Sequence, residues 1–399
     1  MMIPTIDQLD VANQRVLMRV DFNVPIADGD IRDDRRIQAA LPSIQKLLQG
    51  GARLILLSHL GRVKTEEDKE KLSLAPVAKR LAEYLGQPVT FVAETRGAEL
   101  ERAIDQLQPG HVLLMENTRF EDLDGKKESG NDPELAAYWA SLGDLFVNDA
   151  FGTAHRSHAS NVGLASHLPS AIGYLIQEEL TYFDRAIQDP DRPFVLILGG
   201  AKVSDKIGVI EHLIEQVDYI MIGGGMAYTF IKALGYDVGQ SILESQQVTY
   251  ARDLVDRYGD RLVLPVDTVV TPSLDQADQA QLVGIDAIPD QMIGVDIGPE
   301  TLKHFGDILQ SARTVVWNGP MGVFEEAAFA QGTLGLCKIL GGLEAATTIV
   351  GGGDSVAAVQ ALGYEDQFSH LSTGGGASLA YLQGETLPGI AAIAKASSD

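Results

Sequence analysis

The sequence predicts an α/β fold with parallel sheets that carry helices on both faces. Three observations predict it: β-rich runs recur along the chain, helix-like segments separate them, and polar or glycine-rich residues directly follow the strands. Ligands of such sheets bind at the carboxyl ends of the strands, so the residues at those ends are the candidates for function. With 399 residues, the chain is long enough for two domains of roughly 150 to 200 residues each.

Nine apolar runs account for the predicted strands. In chain order they read RVLMRVDF, RLILLSHL, VLLMEN, DLFVNDAF, FVLILGG, YIMIGGG, LVLPVDTVV, TVVWNGP and TTIVGGG. Helices are predicted between them, for example over residues 74–85 and 205–217. A third helix-like stretch, residues 172–190, separates the first four runs from the other five and marks the predicted junction of the two domains.

Composition narrows the class of protein. The formal charge of −24 argues against non-specific binding to nucleic acid, which relies on clustered basic residues. No apolar run reaches the ~18 residues of a membrane helix, and the N-terminus does not resemble a signal peptide. The single cysteine, Cys337, excludes an intrachain disulfide and suits a reducing compartment. We therefore expect a soluble cytoplasmic protein.

In the first half of the chain, charged, amide and imidazole side chains follow the strands. Thirteen of the eighteen arginines lie within residues 1–188. The side chains at the strand ends are those of Asp21, Asn23, His59, Arg62, Arg119 and Arg156. Arginines gathered at one edge of a sheet would bind a small anion. The alternative is that they are ordinary surface arginines.

In the second half, glycines follow the strands, in the motifs GGAK, GGGM, NGPMG, GGGD and GGGA. A glycine between a strand and a helix lets backbone N–H groups approach a phosphate, whereas the alternative is a plain tight turn. No motif matches a P-loop or a G-x-G-x-x-G fingerprint. Lys202 and Lys206 would either neutralise phosphate oxygens or lie on a solvated helix face. Asp354 is either a helix N-cap or a carboxylate that reaches a phosphate-bound Mg²⁺.

Two other classes of protein remain open on these observations. A nicotinamide-dependent dehydrogenase would need the dinucleotide fingerprint, and a two-lobed ligand-binding protein of the periplasmic type would need an export signal; neither is found in the sequence. His155 and His158 lack a third metal ligand nearby, and no G-x-S-x-G elbow supports nucleophilic catalysis.

Ten motifs occur in the order typical of one family. They are RVDFNVP, SHLGR, ENTRF, NDAFGTAHR, GGAKVSDKI, GGGMAYTF, DIGPET, WNGPMGVFE, GGGDSVAAV and STGGGASL, and the likeness they carry covers the chain from about residue 19 to about residue 390. With them the chain resembles the phosphoglycerate kinases. The resemblance implies a monomeric enzyme with two Rossmann-like domains joined by a hinge helix. Such an enzyme transfers the acyl phosphoryl group of 1,3-bisphosphoglycerate to MgADP and gives 3-phosphoglycerate and ATP.

The resemblance also implies domain boundaries and partners. Residues 1–171 would bind 3-phosphoglycerate, residues 172–190 would form the hinge helix, residues 191–380 would bind the nucleotide, and residues 381–399 would return to the first domain. The small-molecule partners would be the triose phosphates, ATP or ADP, and Mg²⁺. The reaction would serve glycolysis and, in reverse, carbon fixation or gluconeogenesis.

The family's site residues carry over by their positions in these motifs. For the triose phosphate they are Asp21, Phe22, Asn23, Arg36, His59, Leu60, Gly61, Arg62, Arg119 and Arg156. For the nucleotide they are Lys202, Lys206, Gly223, Gly224, Gly294, Asn318, Glu325, Gly352, Gly353, Asp354 and Ser355, with Asp354 on Mg²⁺ and Glu325 on the ribose. Arg36, Lys202, Gly374 and Gly375 would act on the phosphoryl group in transit. Ala380 departs from the family, in which this position is usually acidic.

Overall fold

The computed structural model describes residues 3–396 and divides the chain into two compact units. One unit runs through Leu180 and takes up the chain again from Thr386, and the other runs from Thr181 to Glu385. Each unit contains a parallel sheet with helices, so the predicted α/β class is confirmed. The division by function, with boundaries at residues 171, 190 and 380, stays a prediction, and residues 1–2 and 397–399 of its terminal segments lie outside the described residues.

The first unit is built around a six-stranded parallel sheet and a short two-stranded ribbon. Its strands are β1 (Arg15–Arg19), β2 (Ile26–Ala27), β3 (Asp30–Ile31), β4 (Arg53–Leu57), β5 (Val89–Val92), β6 (Val112–Met115), β7 (Leu145–Asn148) and β8 (Ser170–Ile172). The strand order in the sheet is β5-β6-β4-β1-β7-β8, and β2 pairs with β3 in the ribbon. The central strand β1 pairs in parallel with both β4 and β7. Four of its five residues are buried, because a parallel sheet is covered on both faces.

Six α-helices begin within residues 3–180, the first part of this unit. They are α1 (Arg35–Gln49), α2 (Asp68–Lys71), α3 (Ala75–Leu85), α4 (Ala98–Gln106), α5 (Pro133–Ser141) and α6 (Tyr174–Gln188). Apolar side chains of α1 and α3, such as Ile37 and Leu81, form one core with the strands. The helix predicted over residues 74–85 is α3, which ends at Gly86 in the left-handed conformation. The helix α6 lies within the predicted junction, residues 172–190, and belongs partly to each unit.

The second unit contains a six-stranded parallel sheet and a three-stranded antiparallel sheet. Its strands are β9 (Phe194–Leu198), β10 (Tyr219–Ile222), β11 (Leu262–Val263), β12 (Asp267–Thr271), β13 (Gln281–Gly284), β14 (Ile293–Ile297), β15 (Thr314–Asn318), β16 (Thr347–Gly351) and β17 (His370–Leu371). The parallel sheet has the order β11-β10-β9-β15-β16-β17, and the antiparallel sheet has the order β13-β12-β14. The antiparallel sheet was absent from the sequence prediction.

Seven helices follow in the second unit, and one more lies in the first. They are α7 (Ile207–Leu213), α8 (Ala227–Ala233), α9 (Val248–Tyr258), α10 (Pro299–Leu309), α11 (Gln331–Gly341), α12 (Gly353–Ala361), α13 (Gly376–Leu382) and, in the first unit, α14 (Pro388–Ala396). The Gly389 N–H of α14 donates to the carbonyl of Ala154 at 2.9 Å. The helix predicted over residues 205–217 is shorter than expected at both ends. It begins late because residues 203–206 form a turn in which the Lys206 N–H donates to the Val203 carbonyl, and it ends at Leu213.

Candidate active site

The strand order brings the predicted anion-binding side chains to one edge of the first sheet. The strands β6, β4, β1 and β7 are consecutive neighbours. Their carboxyl ends lead, in that order, into Arg119, into His59 and Arg62, into Asp21, and into Arg156. Since parallel strands end at the same edge, four separate motifs of the sequence meet there.

Asp21 holds Arg36, which comes from the first turn of α1. The Arg36 Nη1 donates to Asp21 Oδ2 at 2.9 Å. Burial acts to raise the pKa of Asp21, but the charges of Arg36 and Arg19 and the hydrogen bond from the Asn23 N–H lower it, and the pKa lies below its ordinary value. The carboxylate therefore stays ionised. The Arg36 side chain is still 39% exposed, so the guanidinium is held in place and remains accessible to a ligand.

Arg19 is a residue of this site that the sequence interpretation missed. It is fully buried, its Nε donates to Ser160 Oγ at 2.8 Å, and its Nη2 lies 3.2 Å from His59 Nδ1. A guanidinium can only donate, so His59 Nδ1 accepts, and the neutral ring carries its proton on Nε2. Burial, together with the neighbouring cations, lowers the pKa of His59 to about 3, so this ring is neutral at physiological pH. An arginine within an apolar strand is a signal that could have identified Arg19.

Asn117 shapes the loop after β4, and it too was not predicted. Its Oδ1 accepts the Leu60 N–H at 3.1 Å and the Arg119 N–H at 3.0 Å. Its Nδ2 donates to the carbonyls of Leu60 and Leu72 at 2.8 and 2.9 Å. One buried amide thus fixes the backbone beside two of the predicted ligand-binding residues.

The remaining predicted residues of the first unit divide into supporting and exposed ones. Phe22 has a buried side chain, and Asn23 Oδ1 accepts the Gly61 N–H at 2.8 Å, so these residues support the loops. Arg62 and Arg156 are exposed. Their guanidinium groups are therefore accessible to an anion.

In the second unit, the glycine motifs also meet at one edge of the sheet. The strands β10, β9, β15, β16 and β17 are consecutive neighbours, and each leads into one of the five motifs. The chain runs outward from β9 in one direction and from β15 in the other, so the switch point of the sheet lies between these strands. Ligands of open α/β sheets bind at such switch points.

Lys206 and Asn318 meet at this switch point. The Lys206 Nζ donates to Asn318 Oδ1. Burial lowers the pKa of Lys206, while the carboxylates of Asp205 and Asp354 oppose that shift. Asn318 is 2% exposed, and its Nδ2 has no hydrogen-bond partner among residues 3–396. A buried amide without a partner is rare and marks this position as one where an acceptor is expected.

The glycines of the second unit serve two different purposes. Several are required by packing: a Cβ added at Gly223 or Gly294 would collide with Met321 or Tyr228, and one added at Gly224 would lie 2.6 Å from the Gly200 nitrogen. Two others meet open space, because a Cβ added at Gly353 or Gly375 has no atom within 4 Å. Gly375 also has a φ of +51°, which side chains rarely adopt.

A pocket of about 400 Å³ lies in the second unit. Its walls are largely apolar and include Tyr228, Ile242, Leu274, Pro320, Val323 and Phe324. Four of the predicted nucleotide residues line it as well, namely Gly224, Gly294, Glu325 and Asp354. A mostly apolar pocket that also presents the carboxylates of Glu325 and Asp354 fits an aromatic base that carries polar substituents.

Other predicted residues lie outside the lining of this pocket. Lys202 is exposed, and Gly374 is buried, with its N–H donating to Ser372 Oγ at 3.1 Å. The Ser355 hydroxyl donates to the Gly351 carbonyl at 2.9 Å and accepts the Gly319 N–H at 2.6 Å, so it ties two loops together. Gly352 has a φ of +90° and precedes α12. Ala380 is buried on α13.

Asp354, the predicted ligand of Mg²⁺, has an accessible carboxylate. It is exposed in the first turn of α12. Within the described chain, no group of three or more His, Cys, Asp or Glu side chains is arranged to hold a metal. A single carboxylate suits Mg²⁺ that arrives with a nucleotide, because phosphates and water provide the other ligands.

The histidine pair of the AHRSH motif has other contacts. The Arg156 Nε donates to His155 Nε2 at 3.1 Å, and the buried His158 Nδ1 lies 3.8 Å from Glu128 Oε1. None of the helices in residues 3–396 has the length and apolar character to span a bilayer.

Arginines at the edge of one parallel sheet and lysine-flanked glycine loops at the edge of another are the groups with which a phosphotransferase binds anions and phosphates. The family model described as phosphoglycerate kinase matches residues 6–385. The chain belongs to the phosphoglycerate kinase family. Its reaction is the reversible transfer of a phosphoryl group between 1,3-bisphosphoglycerate and ADP, a step of glycolysis.

Relatives with this activity cover nearly the whole chain. The phosphoglycerate kinase of Enterococcus faecalis is 61% identical over 390 residues, which are 98% of this chain and 98% of the relative. That of Lacticaseibacillus casei is 60% identical over 389 residues, which are 97% and 98% of the two chains. The comparisons do not favour a dehydrogenase or a non-catalytic binding protein.

Solved structures give the same result. The phosphoglycerate kinase of Coxiella burnetii matches with a TM-score of 0.88 and 39% identity, over 99% of each chain. That of Pyrococcus horikoshii matches with a TM-score of 0.86 and 32% identity, also over 99% of each chain.

Proposed function

We propose that the chain catalyses this transfer by holding the triose phosphate in the arginine cluster of the first unit and MgADP or MgATP on the glycine loops of the second. The observation that carries this proposal is the Arg36–Asp21 pair. A buried carboxylate orients an arginine that is still accessible, and such an arginine can stabilise a phosphoryl group in transit.

The residue types suit the chemistry of the reaction. In the direction that consumes ATP, the acceptor is the carboxylate of 3-phosphoglycerate, which is ionised at neutral pH and needs no general base. Catalysis of phosphoryl transfer then consists of positioning and of stabilising charge on the equatorial oxygens. Arg36 and Lys202 are proposed for that charge, and His59, neutral with a proton on Nε2, is proposed to donate a hydrogen bond to an oxygen of the triose.

The nucleotide is proposed to lie in the second unit. The base would occupy the apolar pocket, with Glu325 near the ribose. Lys206 and Asn318 would meet the phosphates, since the Asn318 Nδ2 is buried and has no partner in the described chain. Asp354 would contribute one carboxylate oxygen to the Mg²⁺ that accompanies the nucleotide. Bound Mg²⁺ neutralises phosphate charge during the transfer.

Gly375, where an added Cβ would meet open space, is proposed to face the moving phosphoryl group. The Gly375 position, at the start of α13, leaves room where any side chain would protrude. Backbone N–H groups at such a position donate to phosphate oxygens without a Cβ to hold the ligand away.

A coupled assay tests the proposed function. Purified protein is mixed with 3-phosphoglycerate and MgATP, and glyceraldehyde-3-phosphate dehydrogenase with NADH reports the 1,3-bisphosphoglycerate formed. We expect NADH oxidation that requires the protein, Mg²⁺ and 3-phosphoglycerate together. No signal, with nucleotide binding intact in calorimetry, would show that the first unit does not serve this substrate.

The chain is further proposed to act as a monomer in the cytoplasm, on small molecules alone. Family membership supports this proposal. Light scattering on the purified protein should give the mass of one chain with and without substrates. A dimer mass under assay conditions would contradict it.

A further inference from the structure

Glu244 lies outside every motif considered above, yet its carboxylate holds the turn between the two candidate lysines. The Ser204 N–H donates to Glu244 Oε2 at 3.0 Å, and the Ser204 hydroxyl donates to Glu244 Oε1 at 2.6 Å. The Val203 N–H also donates to this carboxylate. The turn is closed by the Lys206 N–H, which donates to the Val203 carbonyl at 2.8 Å. Lys202 directly precedes this turn, and Lys206 ends it.

Residues 241–244, which we call the Glu244 segment, also contact the base pocket. Ile242 lines the pocket. Ser241 Oγ accepts the Gly294 N–H at 2.9 Å, and Gly294 is another residue of the pocket wall. At the other end of the segment, the Glu244 N–H donates to Oγ1 of the buried Thr229 at 3.2 Å. A short stretch of chain therefore connects the base pocket to the lysine turn.

The charge of Glu244 needs an explanation at this place. A carboxylate close to a phosphate-binding turn would repel phosphates unless neighbouring hydrogen-bond donors and cations compensated its charge. Burial acts to raise the pKa of Glu244, but the hydrogen bonds from Ser204 and Val203 and the charge of Lys202 lower it below the ordinary value. The ionised carboxylate is thus satisfied by the turn itself, and its charge-assisted bonds are the strong kind.

We propose that Glu244 is a positioning residue for the phosphoryl transfer. It holds the turn that places Lys202 and Lys206 next to the phosphates of a nucleotide whose base lies against Ile242. The inference rests on the proposed function of these lysines. Glu244 does not touch the reacting atoms; it acts through the turn.

Substitution by glutamine makes the sharpest test. Glu244→Gln keeps the size of the side chain but replaces one acceptor oxygen with an N–H₂ donor, which cannot accept from the Ser204 or Val203 N–H. Ser204→Ala removes one bond of the same set and is a milder second variant. Asp237→Asn is the matched control, because Asp237 pairs with Lys232 at 2.7 Å on an exposed surface of the same unit.

The experiment compares steady-state kinetics and nucleotide binding in these variants. Since a misplacement of about 1 Å can cost on the order of 100-fold in rate, we expect Glu244→Gln to lower kcat by at least about tenfold. ADP binding, measured by calorimetry, should weaken severalfold. The KM for 3-phosphoglycerate, the affinity for adenosine and the Tm should stay close to those of the wild type and of Asp237→Asn. Ser204→Ala should lower kcat less, and adding it to Glu244→Gln should have little further effect, because both act on one turn.

Three outcomes would overturn the inference. In the first, kcat and ADP affinity of Glu244→Gln stay within about twofold of the control. In the second, adenosine and ADP binding weaken equally and the Tm falls, which would assign Glu244 to stability alone. In the third, Glu244→Gln does not fold and Ser204→Ala has the kcat of the wild type. Failure of the proposed function would be distinguishable, because the wild type itself would then be inactive with 3-phosphoglycerate while the adenosine and ADP comparison could still be made.

Discussion

Replacing Arg36 by alanine should separate the chemistry of the anion cluster from its stability. The Arg36 Nη1 lies 2.9 Å from Asp21 Oδ2, but the arginine side chain is 39% exposed. A partly exposed ion pair contributes about 1 kcal/mol or less to stability. Asp21 would also keep the charge of Arg19 and the hydrogen bond from the Asn23 N–H, which favour its charged form. We therefore expect the free energy of unfolding to fall by about 1 kcal/mol and the fold to survive.

The effect on activity should be far larger. A cation about 4 Å from a developing negative charge contributes about 4 kcal/mol at an effective dielectric constant of about 20. Since about 1.4 kcal/mol corresponds to a factor of ten in rate, Arg36→Ala should lose about 10³-fold in turnover. This value lies at the lower end of the 10³–10⁵-fold range known for arginines that stabilise phosphoryl transfer.

The assay is the coupled reaction with 3-phosphoglycerate and MgATP, run beside chemical denaturation of the same samples. Arg35→Ala is the control, because the neighbouring Arg35 is exposed and donates to Asp33 at 2.9 Å instead of to Asp21. It should retain nearly full turnover. A loss below about tenfold in Arg36→Ala, or an equal loss in both variants, would refute Arg36 as the cation that stabilises the transfer.

Three further predictions address other parts of the site. Gly375→Val should keep the fold but lower turnover by at least about tenfold. Gly363→Val is the control, because Gly363 also has a positive φ and open space around an added Cβ, and it should lose stability alone. Full turnover in Gly375→Val would contradict the phosphate-facing role. Burial lowers the pKa of His158 from 6.5 to about 3. Between these two values the unfolded chain binds a proton on His158 that the folded protein does not bind. The contribution of His158 to the free energy of unfolding is therefore fully present above pH 6.5 and is lost as pH falls towards 3. The wild type should lose free energy of unfolding between pH 7 and pH 5, and His158→Gln should lose about 2 kcal/mol less over the same range. Chemical denaturation of both proteins at the two pH values measures this loss. An equal loss in the two proteins would refute the lowered pKa of His158. Asp354→Asn should raise the Mg²⁺ concentration for half-maximal activity by about tenfold, with an unchanged KM for 3-phosphoglycerate; an unaltered Mg²⁺ titration would remove Asp354 from the metal site.

Local sequence patterns predicted much of the secondary structure and the residue types of the site. The strand β9 is a continuous apolar run, and α3 covers nearly all of the helix predicted over residues 74–85. The motifs placed arginines after the strands of one unit and glycines after the strands of the other. These features depend on short stretches of chain, because the period of apolar residues and the properties of glycine are local.

Two features of the local sequence differ in the structure from their interpretation: the run LVLPVDTVV and the residue Arg19. The run LVLPVDTVV forms two strands in two different sheets, with Pro265 between β11 and β12. Proline has no N–H to donate to a ladder, so a strand does not continue through it in the middle of a sheet. Arg19 is a charged residue within an apolar strand, yet the sequence interpretation assigns it no role of its own.

The sequence by itself determined the α/β class, the family resemblance and the kinds of side chain available for binding an anion and a phosphate chain. Only the tertiary structure decided which of them meet. The order β6, β4, β1, β7 brings four distant motifs to one edge, the hydrogen bond between Arg19 and His59 assigns the proton of that ring, and the packing of Gly223 against Met321 distinguishes it from Gly375. The physical reason is that strand pairing, burial and side-chain contacts join residues far apart in the chain, whereas local patterns report only on their own segment.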